Sequence, residues 1–484
     1  MYVELNSKGF TYDVHSLVKA FYPGEDVIVN DPGEGEEVSI RVEVFPEEAG
    51  DSVRTSGHVR VWTCIGGAEE ELTGDYEDCD RPAVKSHLKR CLYGLLSKVT
   101  RKDLPWGTMT GIRPTKVPMK LIREGADDEA ISAHMRSVYL CSDEKIKLAK
   151  DIAHNEAAIM DGLSGDGFSL YIGIPFCPTR CLYCSFTSYP IGLWKDRTGD
   201  YLKALGSELD LLSGIFAGRR ADSIYIGGGT PTTLSDKELY ELIKGLGERF
   251  DLSALRELTV EAGRPDSITE EKLAALAVAG VSRISINPQT MNAKTLDLIG
   301  RRHSVDDVYR AFEMARTAGF TNINTDLILG LPGEDEGDVR HTFDCIKDLA
   351  PDSLTVHCMA LKRAAGMHEY LTEHKEIRSV VTAGMLDAAA ECATDLGMVP
   401  YYLYRQKNIA GNFENVGYAR RDCFGVYNIV MMEEVSDIGA AGAGTISKRV
   451  FPDGRIERCD TVKDVDLYMK RIGEMKERKK KLFE

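Results

Sequence analysis

Hydrophobic positions follow two rhythms along the chain. In the first, Val38, Ile40, Val42 and Val44 alternate with Ser39, Arg41 and Glu43. Val59 and Val61 alternate in the same way with His58, Arg60 and Trp62. A period of two marks half-buried strands. Gly/Asp/Glu-rich segments, 31–37 and 47–51, punctuate them. Val84, Leu88, Cys91, Leu92, Leu95 and Val99 then recur at helical spacing, and 127–160 also reads as helical. The pattern predicts a small α+β domain over residues 1–160. The second rhythm runs from about 168 to 360. Short apolar strands at 170–174, 223–226, 257–261, 283–287, 322–329 and 353–359 alternate with amphipathic stretches such as 201–212 and 305–318. Strand and helix in alternation predict parallel βαβ units, and six of them predict a partial (β/α)6 barrel over 161–365, in an α/β fold. Residues 366–484 are left as a C-terminal accessory region.

Bulk properties narrow the function classes. The 484 residues are 43% hydrophobic and 28% charged, ordinary for a globular chain. A net charge of −16 argues against nucleic acid as the main partner, because phosphate binding needs a basic surface. There is no apolar lead with a basic flank and no run near the ~20 residues of a membrane span. The expectation is a cytoplasmic protein without a membrane span, in which the 12 cysteines are reduced.

Three of those cysteines stand apart. Cys177, Cys181 and Cys184 fall within eight residues, directly after the first barrel strand. Thiolates at such spacing let one loop wrap one metal site. Three ligands hold three corners of a four-iron cluster and leave the fourth for a small molecule. Zinc is the competing reading, but it favours four N/S ligands in separated pairs, and no second pair is present. Position 186, two beyond the last thiol, is Phe. Other chemistry-bearing residues fall at successive strand ends, where parallel barrels collect their sites. These are Gly227–Thr232 (GGGTPT), Glu261, the segment 285–289 with Gln289, Arg301, His303 and Asp326. The glycines allow close backbone approach, and the Lys-Ser/Thr ending of a phosphate loop is missing. The segment 104–116, with Trp106, Arg113 and Lys116, reads either as a loop closing over an anion or as an ordered connector whose Trp packs; its Pro and Trp favour the connector.

The triplet resembles the signature of radical S-adenosylmethionine (SAM) enzymes. The motifs YIGIPFCPTRCLYCSF, YIGGGTPT, TVEAGRP, RISINPQ, GRRH and TDLILGLPG are similar to the oxygen-independent coproporphyrinogen III oxidase (coproporphyrinogen dehydrogenase) family. PWGTMTGIRPTK and PYYLYRQKNIAGNFENVGYA resemble its HemZ-type branch. The resemblance implies a TIM-like radical SAM barrel in which Cys177, Cys181 and Cys184 hold a [4Fe-4S] cluster. Tyr171, Gly228, Gly229, Thr230, Glu261, Gln289, Arg301 and Asp326 match positions that contact the cluster-bound SAM; Ala360 and, less closely, Ile446 match contacts to a second SAM. It further implies that a 5′-deoxyadenosyl radical takes hydrogen from the β-carbon of a propionate, which loses CO2 and one electron. Two propionates of coproporphyrinogen III so become the vinyls of protoporphyrinogen IX, in porphyrin and haem biosynthesis. A flavodoxin or ferredoxin is the expected electron donor. For the carboxylates of this tetrapyrrole substrate, Arg302, Arg405, Lys407, Arg420 and Arg421 are candidates. Two departures keep other readings open, a haem-binding chaperone or a radical SAM enzyme acting on haem itself. The well-characterised enzyme branch has a Cys where this chain has Phe186, and the chaperone branch has a His-Asn-x-x-Tyr-Trp-like motif where this chain reads VYNIVM over 426–431. The basic tail, 470–481, reads as a solvated helix, and the Gly/Ala run 439–444 as either a seat for a flat ligand or tight packing.

Overall fold

The computed structural model describes residues 1–31, 37–46, 54–65, 67–360, 366–406 and 413–484. Most of the two acidic linkers, and Lys407, lie outside the described residues. Packing groups the chain in two units, residues 1–154 with 404–414, and residues 155–403 with 415–484.

In the first unit, β1 (Tyr2–Leu5), β2 (Ile28–Val29), β3 (Val38–Phe45), β4 (Thr55–Ile65) and β5 (Ala68–Cys79) form one sheet in the order β2-β1-β3-β4-β5. β3, β4 and β5 are an antiparallel meander, while β1 pairs with β2 and β3 in parallel. The alternation seen in sequence puts Ile40, Val42, Val44, Val59 and Val61 on the buried face. Helices Thr11–Phe21 and Arg81–Thr100 contribute Val14, Leu17, Val18, Leu88 and Leu92 to the same core. The second helix starts on Asp80, whose carboxylate accepts from Ala83 N–H, with Pro82 in the first turn. Trp106 is fully buried, and its Nε1–H donates to Glu414 Oε2 at 2.7 Å; Lys145 pairs with the other oxygen at 2.8 Å. Arg405 donates to the Met109 carbonyl at 2.6 Å and lies 6.0 Å from the Trp106 ring centroid. The 104–116 segment is thus a connector pinned by its Trp, and Arg405, a candidate for substrate carboxylates in the sequence, is a buried cation bonded to the Met109 carbonyl.

The second unit carries the α/β fold. Its strands are β6 (Phe168–Ile174), the short β7 (Phe176–Cys177) and β8 (Tyr189–Pro190), β9 (Ala221–Gly228), β10 (Glu257–Glu261), β11 (Arg283–Ser285), β12 (Ile323–Leu329), β13 (Ser353–Cys358), β14 (Val399–Tyr404), β15 (Asn415–Ala419), β16 (Asp437–Ala441), β17 (Ile446–Val450) and β18 (Ile456–Asp460). The main sheet runs β14-β15-β13-β12-β11-β10-β9-β6-β16-β17-β18. From β6 to β13 all neighbours are parallel, the six βαβ strands expected. Helices such as Thr198–Ile215, Asp236–Arg249, Val305–Thr317 and Glu336–Leu349 connect them. Reciprocal capping boxes start three of these helices, Ser235 with Glu238, Ser304 with Asp307 and Asp335 with Asp338. The sheet does not stop at β6. β16 adds a further parallel strand beside it, and β15 joins β13 antiparallel, so residues 415–460 extend the barrel sheet itself.

The Gly/Ala run serves this pairing. A Cβ on Gly439 would lie 2.5 Å from the Phe216 ring, and one on Gly442 2.5 Å from the Gly173 carbonyl. Tight packing, not a ligand, accounts for those glycines. The basic tail also departs from expectation. Helix Ile472–Phe483 buries Met475, Lys479 and Leu482, and Lys479 pairs with Glu208 with both side chains fully buried. Glu208 is affordable there because Tyr468 Oη–H, at 2.6 Å, and Gly442 N–H, at 2.8 Å, also donate to it. Arg420 pairs with Asp352, just before β13, and Arg421 bonds Asn155 Oδ1 at 3.3 Å. Asp352 sits at the end of the strands opposite the cysteine loop, so Arg420 is not placed to meet a ligand there. Arg302 is exposed.

Candidate functional site

The cysteine loop is held at its base and its middle. β7 pairs with β8, and Tyr189 N–H donates to the Pro175 carbonyl at 2.8 Å, pinching residues 178–188 into a closed loop. Leu182 N–H donates to Ile299 O, and Met367 N–H to Leu182 O, each at 3.0 Å. Leu182 also packs on a small core of Ile299, Leu331 and Met367. Thr179 Oγ1–H reaches the Gly300 carbonyl at 3.1 Å. The loop is therefore held by backbone hydrogen bonds and packing at both places.

The three thiols line one cavity together with Tyr171, Gly228, Gly229, Thr230, Glu261, Gln289, Arg301 and Asp326. That set gathers every sequence-predicted cofactor residue except Ala360, which follows β13, is half-buried, and is not among the lining residues. Ile446 starts β17 and does not line it either. Arg264, Thr179, Tyr183 and Asn287 also line the cavity and were not singled out from the sequence. Each sits inside or beside a quoted motif, so position relative to the strand ends was the available signal.

Local geometry shows why these residue types are needed. Gly229 N–H donates to Ile174 O at 2.8 Å and Thr230 N–H to Phe176 O at 2.7 Å, locking the glycine loop against the cysteine loop. A Cβ on Gly229 would lie 2.6 Å from Phe176 O and 2.8 Å from Ile174 O. Gly228 has φ +104°, a region that disfavours any side chain. Gln289 holds φ +72° without being glycine, fixed by its N–H to Asp326 O and its carbonyl from Ile328 N–H. Its buried Oε1 has no hydrogen-bond partner among the described residues. A strained backbone that presents an unpaired buried acceptor to a cavity fits a ligand donor.

Behind the rim the barrel interior is polar, because alternate strand residues point inward. Ser169 Oγ meets Ser223 Oγ at 2.8 Å, Ser285 Oγ–H donates to Asn287 Oδ1 at 2.6 Å, and Asn324 Nδ2–H donates to Asp326 Oδ1 at 2.7 Å. Tyr225 Oη–H donates to Glu261 Oε1 at 2.6 Å. Burial, reinforced by the nearby Asp326 charge and opposed by the Tyr225 hydrogen bond, pushes Glu261 up to about 7. Burial acts on Asp326 in the same sense, but His357 and Asn324 outweigh it and hold Asp326 below its ordinary range. Two neighbouring carboxylates are thereby set apart in proton affinity. Arg301 donates to the Asn287 carbonyl and lies 3.3 Å from Tyr183 Oη and 3.2 Å from His303 Nε2. Burial, with the Arg301 charge, lowers His303 to about 4, so its ring is neutral.

The cysteines suit a cluster. Burial raises Cys177 to about 11, against a 3.5 Å hydrogen bond from Thr230 Oγ1, and raises Cys184 as well. Metal loading must displace those protons. Among the described residues no three Cys, His, Asp or Glu side chains close on a single ion position. A cubane does not require that, since each thiolate binds a different iron. Among the described residues no helix is long and apolar enough to cross a membrane.

Comparison with known proteins agrees with this geometry. The Radical SAM superfamily pattern matches residues 171–346. The oxygen-independent coproporphyrinogen-III oxidase-like protein HemZ of Bacillus subtilis is 40% identical over 407 residues, 83% of this chain and 81% of that protein. The haem chaperone HemW of Bacillus subtilis is 38% identical over 197 residues, 40% of this chain and 51% of that protein. The solved structure of coproporphyrinogen III oxidase (HemN) from Escherichia coli, a radical SAM enzyme, superposes with a TM-score of 0.52 at 23% identity, over 66% of this chain and 73% of that one, a likeness of fold. Radical SAM proteins use a [4Fe-4S] cluster and SAM. With four-fifths of each chain aligned, this protein belongs to the radical SAM family of HemZ, the oxygen-independent coproporphyrinogen-III oxidase-like protein.

Proposed function

We propose that the protein oxidatively decarboxylates two propionates of coproporphyrinogen III, giving protoporphyrinogen IX. Each propionate would give one β-carbon hydrogen atom to the SAM-derived radical, then release CO2 and pass one electron to a separate one-electron acceptor, becoming a vinyl group. The observation that carries the reading is the single cavity holding three loop thiols beside an unpaired buried amide oxygen and a glycine cradle. The relation to HemZ supplies the tetrapyrrole.

Cys177, Cys181 and Cys184 would hold three irons of the cluster. When bound, the cluster and SAM supply a one-electron reductive cleavage that generates a hydrogen-abstracting radical. Gly228, Gly229 and Thr230 would let SAM approach the backbone, and Gln289 and Asp326 would offer acceptors to its polar hydrogens. Tyr171, Glu261 and Arg301 complete its surroundings. A small flavodoxin- or ferredoxin-type protein provides the electron. A haem-carrying role is disfavoured by VYNIVM over 426–431, a segment without His or Trp whose Tyr427 packs inside the barrel, 4.9 Å from the Tyr225 ring.

The test is product mass spectrometry on iron–sulfur-reconstituted protein incubated anaerobically with coproporphyrinogen III, SAM and a reductant. Loss of two CO2 with formation of two vinyls is expected. SAM cleavage with no change in porphyrinogen mass overturns the substrate assignment, and tight haem binding with transfer to an apo-acceptor favours the chaperone reading.

A further inference from the structure

Arg264 has no part in the scheme above, yet it lines the same cavity and is held by a bidentate ion pair. It lies three residues beyond Glu261, where the chain leaves β10. The residue is only 3% exposed. Its Nε–H and Nη2–H are committed to Asp266, at 2.9 Å to Oδ1 and 2.7 Å to Oδ2. That bidentate fork fixes the plane and direction of the guanidinium. The remaining edge, Nη1, faces the cysteine loop, 3.2 Å from Thr179 Oγ1 and 3.4 Å from Cys181 Sγ. Thr179 is itself tied to Gly300, so the target of Nη1 is fixed as well. The sulfurs are not equivalent, because the donor to Cys177 is the neutral Thr230 hydroxyl, at 3.5 Å.

We propose that Arg264 sets the reduction potential of the cluster through a charge-assisted N–H···S hydrogen bond to Cys181. This rests on the cluster reading of the three thiols. Reduction adds one negative charge, part of which resides on the ligand sulfurs. A fixed cationic donor interacts more strongly with that state than with the oxidised one, so it eases reduction. The burial of Arg264 limits the screening of its charge by solvent. Asp266 orients the guanidinium but also cancels part of its charge, acting as a brake on the same effect. In a chain of net charge −16, a local cation at the sulfur offsets a background that disfavours adding an electron. Arg264 is thus a positioning and tuning residue, not a ligand.

The experiment is an anaerobic redox titration of the reconstituted full chain, followed by the electron paramagnetic resonance of the reduced cluster, with iron and sulfide content measured on each sample. Arg264→Met is expected to lower the reduced-to-oxidised ratio about tenfold at a fixed reductant potential, about 59 mV for a one-electron couple. Asp266→Asn removes the brake and is expected to shift the potential the other way. Arg264→Lys keeps the charge without the fork and should fall between Arg264→Met and wild type. Arg264→Met at full cluster content with an unmoved or raised potential overturns the inference. Where that variant does not hold iron, Asp266→Asn decides: a raised potential supports the inference, and an unmoved or lowered one overturns it. A wild-type chain that takes up no cluster overturns the cluster reading and this inference together, whereas a loaded chain that forms no vinyl product leaves the titration valid.

Discussion

Gly229→Ala is the sharpest steric probe of the rim. The added methyl would sit 2.6 Å from Phe176 O, 2.8 Å from Ile174 O and 2.9 Å from Phe176 N, all backbone atoms. Those atoms belong to the strand end that launches the cysteine loop, so none moves as a flexible side chain would. Relief requires the glycine loop to withdraw, which stretches the 2.8 and 2.7 Å hydrogen bonds of Gly229 and Thr230. Overpacking costs about 1–3 kcal/mol, and each weakened hydrogen bond about 0.5–1.5 kcal/mol. The lower backbone entropy of an unfolded Ala returns about 0.4–1 kcal/mol. The balance is a loss of about 1–6 kcal/mol, read as a lower urea midpoint of the unloaded protein by circular dichroism. Gly214→Ala is the control. It lies exposed in helix Thr198–Ile215 with nothing within 4 Å of its added methyl, and gains a few tenths of a kcal/mol or more. In reconstituted protein Gly229→Ala is also expected to weaken SAM binding at least tenfold. A variant within about 0.5 kcal/mol of wild type, with SAM affinity intact, would refute the cradle described here.

Other consequences can be checked alongside. Glu261 is raised from 4.5 to about 7, so the native state binds more protons than the unfolded one between those values and wild-type stability falls as pH rises through that window. Glu261→Gln removes this, and its stability relative to wild type should grow from pH 4.5 to 7 by up to about 3 kcal/mol at 1.36 kcal/mol per unit; a flat difference in chemical unfolding across that range contradicts it. Gln289→Gly relieves a left-handed backbone and an unpaired buried oxygen, so the unloaded protein should be about 1 kcal/mol more stable while SAM binding weakens; calorimetry that finds both unchanged contradicts the assigned role. Lys479→Met leaves the Glu208 carboxylate buried without its cation and should cost about 3 kcal/mol or more, with Lys479→Met/Glu208→Gln recovering part of it; equal midpoints for the single and double variants contradict the pairing.

Much of the second unit was legible because βαβ rhythm is written in residue type. The strand 257–261 is found with those bounds, and the expected strand 353–359 overruns the observed one, Ser353–Cys358, by one residue. What the rhythm hid was the interior. Ser169, Tyr225, Glu261, Asn324 and Asp326 alternate with apolar residues but face inward, since a ligand-bearing barrel buries hydrogen-bonded polar groups on that side. β5, with the sequence AEEELTGDYEDC, gave no strand signal: it is an edge strand on which only Tyr76 is fully buried, and charge is what such an edge tolerates. β16 was hidden by its composition, because Gly439 and its Ala neighbours are chosen for closeness to Phe216 and β6. The tail misled because Lys479 counts as surface charge until a buried Glu208, 271 residues away, is known to face it. Arg264 shows the same limit, since its meaning depends on a cysteine in another loop.

The claim on which the rest stands is that Cys177, Cys181 and Cys184 hold a cluster whose remaining iron is open to SAM. Electron paramagnetic resonance of the anaerobically reconstituted, dithionite-reduced protein, recorded with and without SAM, tests it most directly. The account predicts a [4Fe-4S]+ signal that shifts on adding SAM and is lost, together with bound iron, when any one of the three cysteines becomes alanine. A signal indifferent to SAM, or one that survives those substitutions, contradicts it.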